Sequence, residues 1–380
     1  MIYLDYAAST PIDARVLAAM WPHFEETYGN PSSVHTAGQH AEHALEQARQ
    51  AVAEVLGCRP REVLFTSGGS EADNLALRGI ALAERARRGA NHLVISPVEH
   101  EAVAATAHHL RDHFGFELTE VGVDAAGRVQ PEALERALRP DTAVAAIVYA
   151  NNEVGTINDL PALSEVCRHH GVPLHTDAVQ AVSQLDVTVD KLGVTSLALG
   201  AHKAYGPKGV GALYLRSGQP LLPTQTGGGH EGGLRAGTPN VPLIVGLAEA
   251  LRLTAAEREA HNRHFAALRQ RLIEGVQAAF PDAVLTGHPL ERLPNHASFA
   301  FPGADGNALV MRLDLAGFAV SSGSACKTGD PRPSSVLLAL GLPPALASGS
   351  LRVTVGRPTS VEDVDHFLTG LARCLRPRSS

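Results

Sequence analysis

The chain has 380 residues, 44% of them hydrophobic and 19% charged, with a formal net charge of −7. That length suits one large and one small domain with separate cores, and the acidic balance argues against nucleic acid or an anionic membrane as a partner. No apolar run reaches the roughly 18–20 residues of a membrane span, and Met1-Ile2-Tyr3-Leu4-Asp5 lacks the basic and apolar regions of a secretory signal, so the expected location is the cytoplasm. The four cysteines (Cys58, Cys167, Cys326 and Cys374) are too few for a disulfide framework, and none forms a Cys-x-x-Cys pair. The adjacent pairs His108-His109 and His169-His170 lack the i, i+4 spacing of a helical metal site, and no metal is expected.

In chain order, the first strand expected is residues 63–66. Thr66-Ser67-Gly68-Gly69-Ser70-Glu71 follows it and opens a helix over 71–90, with Ser70 as a candidate N-cap. Free backbone N–H groups, a dipole end and glycines make that junction an anion site. A strand over 93–96 leads to His100 and a helix over 99–114. A helix over 131–138 and a strand over 143–149 come next, then Asn151-Asn152-Glu153-Val154-Gly155. A helix over 160–170 is capped by Gly171. Strands over 172–175 and 196–199 carry Asp177 and Lys203 beyond their ends. Continuous apolar strands joined by helices predict an α/β fold with a mostly parallel sheet covered on both faces. Ligands of such sheets bind beyond the C-terminal strand ends, so Asp177 and Lys203 should share one crevice.

The glycine-dense run from Gly227 to Thr238 carries His230, Arg235 and Thr238 and is read as a ligand-lining loop. A helix-rich stretch over 241–280 leads to a second domain with strands over 297–301 and 351–355. An amphipathic helix over 361–374, with Val361, Val364, Phe367, Leu368 and Leu371 on one face, makes Cys374 a packed or surface residue.

Lys203 and Asp177 supply what pyridoxal phosphate (PLP) needs: an amine to hold the aldehyde, and a carboxylate to keep the pyridine nitrogen protonated. Cys326, in Ser321-Ser322-Gly323-Ser324-Ala325-Cys326, adds a nucleophile that simple transamination does not use. The three together point to removal of a heteroatom from an amino acid and its carriage on a cysteine.

The chain resembles the class V, fold-type I PLP enzymes, and within them the cysteine desulfurases. The resemblance runs nearly end to end: Tyr3 to Ala8, Gly29 to Ser33, Phe65 to Gly68, Glu99-His100, Asn151 to Gly155, His175 to Gln180, Ala201-His202-Lys203, Gly206 to Gly209, the triple-glycine run, Ser321 to Cys326, and Leu351-Arg352-Val353. It implies a PLP-dependent transferase of fold type I, with a large PLP-binding domain over 15–250. Residues 1–14 and 251–380 would form a smaller α+β domain bearing the cysteine loop. It also implies roles. Lys203 holds PLP and moves the Cα proton, Asp177 pairs with the pyridine nitrogen, and His100 stacks on the ring and serves as an acid–base group. Gln180 and Asn152 lie near the phenolic oxygen, and Asn152 also lies near the substrate carboxylate. Gly69, Ser70 and His202 contact the phosphate, and Thr238 reaches it from the other subunit of a homodimer. Arg352 grips the substrate carboxylate, and Cys326 accepts sulfur as a persulfide.

The loop after Cys326 is long, which resembles the desulfurases that pass sulfur directly to an iron–sulfur scaffold or sulfur-carrier protein. Gly200 departs from the serine common at that position, and somewhat weaker PLP retention is expected. Two rivals share the fold: a small amino-acid aminotransferase, which would yield a keto acid, and a selenocysteine lyase. A PLP-free binding protein is a third, against which the intact Lys203, Asp177, Arg352 and Cys326 count.

Overall fold

The computed structural model describes residues 1–323 and 333–375. Seven strands form the central sheet, in the order Val63–Thr66, Gly211–Leu215, Ser196–Gly200, Leu174–Asp177, Thr142–Ala146, His92–Ile95, Glu117–Glu120. Gly211–Leu215 alone runs antiparallel to its neighbours. The inner strands are buried along their whole length, as a sheet packed on both faces requires. One face carries the Gly69–Arg88 and Glu101–Phe114 helices over Leu75, Ile80, Leu93 and Val144. The other carries Thr36–Leu56, Leu160–His169 and the start of Val241–Ala279 over Val52, Ile147, Leu163 and Leu197.

Val241–Ala279 is one unbroken helix of 39 residues, and the expected division at 250/251 falls inside it. Its first half buries Ile244, Leu247 and Leu251 against the large sheet. Its second half buries Phe265, Leu268 and Leu272 in a separate core with Leu4, Phe299, Val353 and Phe367. That second core surrounds a three-stranded antiparallel sheet, with His296–Ala300 between Ser350–Thr354 and Val284–Leu285. Ile2–Tyr3 pairs in parallel with Phe318–Ala319, so the N-terminus is stitched to the same end of the molecule.

Several boundaries differ from expectation. The helix after the first strand starts at Gly69 with Gly68 as its cap, and Ser70 is an exposed residue inside the first turn rather than the N-cap. The sixth strand in chain order is Leu174–Asp177, so Asp177 ends the strand instead of following it; the Tyr149 N–H donates to its carbonyl at 3.0 Å and extends the pairing. His170 is the C-cap of Leu160–His169, with Gly171 one residue later at φ +64°. No helix among the described residues is long and apolar enough to cross a membrane.

Candidate active site

The register of two parallel strands builds the centre of the site. His175, Thr176 and Asp177 lie beside Ser196, Leu197 and Ala198, and the chain then turns through Ala201–Lys203 directly beyond Gly200. Side chains two apart on a strand share a face, so His175 and Asp177 both look toward the Gly69–Arg88 helix. Asp177 is 7% exposed, and its Oδ1 accepts from the Val179 N–H at 2.8 Å. Burial pushes its carboxyl pKa upward, while His100, that N–H and Lys203 pull it down. His100 caps the Glu101–Phe114 helix, its Nδ1 accepting from the Ala102 N–H at 3.1 Å, which leaves Nε2 for the site. Side-chain polar atoms of Asp73, His100 and Asp177 all lie within 4.8 Å of one another.

The N-terminal turn closes the site. Lys203 Nζ donates to the carbonyls of Ala7 at 2.5 Å and Ala8 at 2.6 Å, and Gln180 Nε2 donates to Ala7 at 2.6 Å. Ser9 Oγ lies 3.3 Å from His202 Nδ1. Burial, then the charges of Lys203 and Lys208, push His202 down to about 4, so its imidazole is neutral at neutral pH.

Beside these groups is a cradle of backbone. A Cβ at Gly69 would overlap Val179 Cγ2, so only glycine lets the helix start approach the turn after Asp177 so closely. At Gly200 the same added atom would meet Val179 Cγ1 at 3.4 Å and the Gly69 nitrogen at 3.7 Å, which is ordinary contact. The helix start therefore touches the end of the lysine-bearing strand. An amine, a buried carboxylate and a glycine-lined helix N-terminus thus converge, matching in turn an aldehyde, a ring nitrogen and a phosphate. This donor set fits PLP.

A second cluster adjoins the first. Arg352 is 6% exposed; its Nη2 donates to Asp5 Oδ1 and its Nη1 to the Asn152 carbonyl, both at 2.9 Å. Ser321 Oγ donates to Asp5 Oδ2 at 2.8 Å. Asn151, not Asn152, shapes the local turn: its Oδ1 accepts from the N–H groups of Glu153 and Val154, and its Nδ2 donates to the Val98 carbonyl. Burial pushes Glu153 up to about 7, against the Ser334 hydroxyl and the charge of Arg352. A cavity of about 660 Å³ is lined by Ser96, His100, Asn152, Glu153, Gly323 and Pro333, among others. Gly323 and Pro333 flank residues 324–332; Cys326 lies outside the described residues.

Lys203, Asp177, His100, Gln180, His202 and Gly69 are thus brought together, with Ser70 on the adjoining helix start and Asn152 beside Arg352. Thr238 is not among them within this chain: it is exposed, and it lines a different cavity of about 180 Å³ with Ser67, Glu231 and Arg235. The sequence alone assigns no role to Asp73, to Glu99 or to the Asp5 carboxylate, although Glu99 and Asp5 fall in matching segments. It also leaves unassigned the i, i+4 pair His109 and His113, whose rings lie 4.7 Å apart on one helix.

The fold and the paired lysine and aspartate define an α/β enzyme of the fold-type I class, whose members depend on PLP. The chain belongs to the class-V aminotransferase family, which matches residues 2–367, and within it to the cysteine desulfurases. It is 42% identical over 374 residues to cysteine desulfurase IscS of Dictyoglomus turgidum, covering 98% of this chain and 94% of that protein. It is 43% identical over 367 residues to cysteine desulfurase IscS of Methanosarcina thermophila, covering 97% and 90%. The solved structure of a NifS-like protein superposes with a TM-score of 0.92 at 36% identity, covering 98% of this chain and 99% of that one.

Proposed function

We propose that this chain is a PLP-dependent cysteine desulfurase that converts L-cysteine to L-alanine and takes the sulfur on Cys326 as a persulfide. The observation that carries the reading is the convergence of Lys203 and Asp177, from adjacent parallel strands, beside the Gly69 helix start. Lys203, Asp177, Gln180, His100, Asn152, His202, Gly69 and Ser70 would hold the cofactor, with Thr238 supplied across a homodimer. When bound, PLP supplies the electron sink for charge that develops at the substrate Cα.

The protein's own groups do the rest. Arg352 holds the substrate carboxylate through its planar fork. Lys203 Nζ takes the Cα proton, and the Ala7 and Ala8 carbonyls aim it. Asp177 keeps a proton on the ring nitrogen. The thiolate is the competent nucleophile, and in this reading His100 takes the Cys326 thiol proton. Cys326 sulfur then attacks the substrate sulfur. The S–S bond forms as the C–S bond breaks and the electron pair passes to Cβ; Cβ takes up the proton removed from the thiol, and Lys203 returns its proton to Cα to complete alanine. The persulfide is delivered to an iron–sulfur scaffold or sulfur-carrier protein in the cytoplasm.

The test measures alanine and sulfide from L-cysteine, with PLP and a reductant, for the wild type and Cys326→Ala side by side. Matched alanine and sulfide, lost in the variant while the cofactor colour remains, is the expected result. Keto acid, or undiminished sulfide from the variant, overturns it in favour of an aminotransferase.

Gly200→Ser tests the cradle separately. The new Cβ fits, and its hydroxyl adds a donor close to the Gly69 nitrogen. Loss of PLP during dialysis should be slower than in the wild type; equal loss would remove Gly200 from the phosphate site.

A further inference from the structure

Asp73 has no part in the mechanism above, yet it is 1% exposed on the buried face of the Gly69–Arg88 helix, among Ala72, Leu75 and Ala76. An ionised carboxylate is costly there unless paired. Its Oδ1 lies 3.1 Å from His175 Nε2, and His175 Nδ1 lies 2.9 Å from Ser196 Oγ. This hydrogen-bonded line runs from the helix through the strand that carries Asp177 to the strand that leads to Lys203. Asp73 also approaches Asp177 and His100, with side-chain polar atoms of all three within 4.8 Å.

Two buried carboxyls this close do not both ionise readily. The groups around them decide which keeps the proton. Asp177 faces Lys203, His100 and the Val179 N–H, all of which favour its anion. Asp73 shares His100 with Asp177, but its hydrogen-bond partner is His175, which burial holds neutral, and ionisation would set it against the carboxyls of Asp177 and Glu99. Glu99 is itself buried, with Ser96 Oγ and the Val148 N–H on one oxygen, and burial pushes it up to about 8.

We propose that Asp73 is a positioning residue: a neutral carboxylic acid, held by His175, that leaves Asp177 as the one anion facing the ring nitrogen. This rests on the reading of Asp177 as the partner of that nitrogen. The arrangement divides the work, with Asp73 storing a proton so that Asp177 carries the charge.

The sign of its pH dependence follows. Burial and the charges of Asp177 and Glu99 raise the folded pKa of Asp73 above the unfolded value near 4. Stability present below that value is therefore lost as pH rises toward the folded one. Asn cannot titrate and mimics the neutral acid.

The experiment compares PLP-loaded wild type with Asp73→Asn, Asp177→Asn and the Glu99→Gln, Glu153→Gln double variant. Asp73→Asn should keep the cofactor absorption and its pH titration at neutral pH, with cofactor release within twofold of wild type. Its melting temperature should gain on the wild type progressively from pH 4 upward. The infrared carbonyl band of a protonated acid at pH 7 should persist when Glu99→Gln is combined with Glu153→Gln, which removes the other buried acid raised to about 7, and be absent once Asp73 is also replaced. Tenfold faster cofactor release by Asp73→Asn at pH 7 would overturn the proposal. If Asp73→Asn does not fold, the Glu99→Gln, Glu153→Gln double variant decides alone, because the absence of that band there is equally fatal. A cofactor spectrum unchanged in Asp177→Asn would instead overturn the reading of Asp177, whatever the state of Asp73.

Discussion

Lys203→Ala is expected to lower alanine formation from L-cysteine at least about a thousandfold, the upper part of the range for losing a positioned proton-transfer group. The amine acts twice, holding the cofactor and moving the Cα proton, so the two losses compound. The fold should survive the change. Lys203 donates to the Ala7 and Ala8 carbonyls, and Ala7 retains the Gln180 donor when the lysine is gone. The N-terminal turn also keeps the Thr10 hydroxyl on the His202 carbonyl and the Ala7 N–H on Thr354 Oγ1. Circular dichroism should therefore superpose on the wild type while single-turnover alanine formation collapses. A small primary amine added to the variant should restore part of the proton transfer. A variant retaining a tenth of the wild-type rate would show that another base moves the Cα proton.

Much of this was legible in the residues. Continuous apolar strands alternating with helices imply the parallel sheet, and a parallel sheet carries Asp177 and Lys203 to the same edge. Gly68-Gly69 between a strand and a helix has one physical reading beyond a plain turn, and the contact of Gly69 with Val179 supplies the reason for the glycine. The illegible parts depend on distant segments meeting. Asp73 is one acidic residue in an amphipathic helix, and no periodicity separates it from a solvated one; only the helix's seat on the sheet places it over His175. The N-cap role of Ser70 failed because Gly68 already starts the helix, a choice among neighbouring small residues that propensity does not resolve. The Asn152 carbonyl meets Arg352, a backbone role that depends on the strand from the second core arriving there, while Asn151 makes the turn. Tyr3 to Ala8 stood out as a motif without a role, because its role is to supply backbone carbonyls, an ion pair and a strand to residues some 200–350 positions away.

That ion pair supports the second large effect. Asp5→Ala is expected to cost about 3 kcal/mol of stability, the lower end of the range for removing one partner of a buried pair. The lower end applies because the Asp5 and Arg352 side chains keep 15% and 8% of their exposure. The loss is not confined to one contact. Asp5 joins Arg352 through Oδ1 and Ser321 through Oδ2, while Ser321 and Arg352 also exchange backbone hydrogen bonds at 2.7 and 3.3 Å. Without Asp5, the guanidinium keeps the Asn152 carbonyl, and its buried Nε already lacks a partner among the described residues. Replacing both residues with apolar ones should recover much of the loss, since an absent pair costs less than a broken one. Urea unfolding of the two single variants and the double closes that cycle, and additive losses would mean that the pair does not act as a unit. The same variants separate stability from function. If Arg352 grips the substrate carboxylate, Asp5→Ala frees the fork from its anchored position and raises the KM for cysteine more than it lowers kcat. Equal loss in both would make Arg352 a strut of the small core rather than a substrate-binding group.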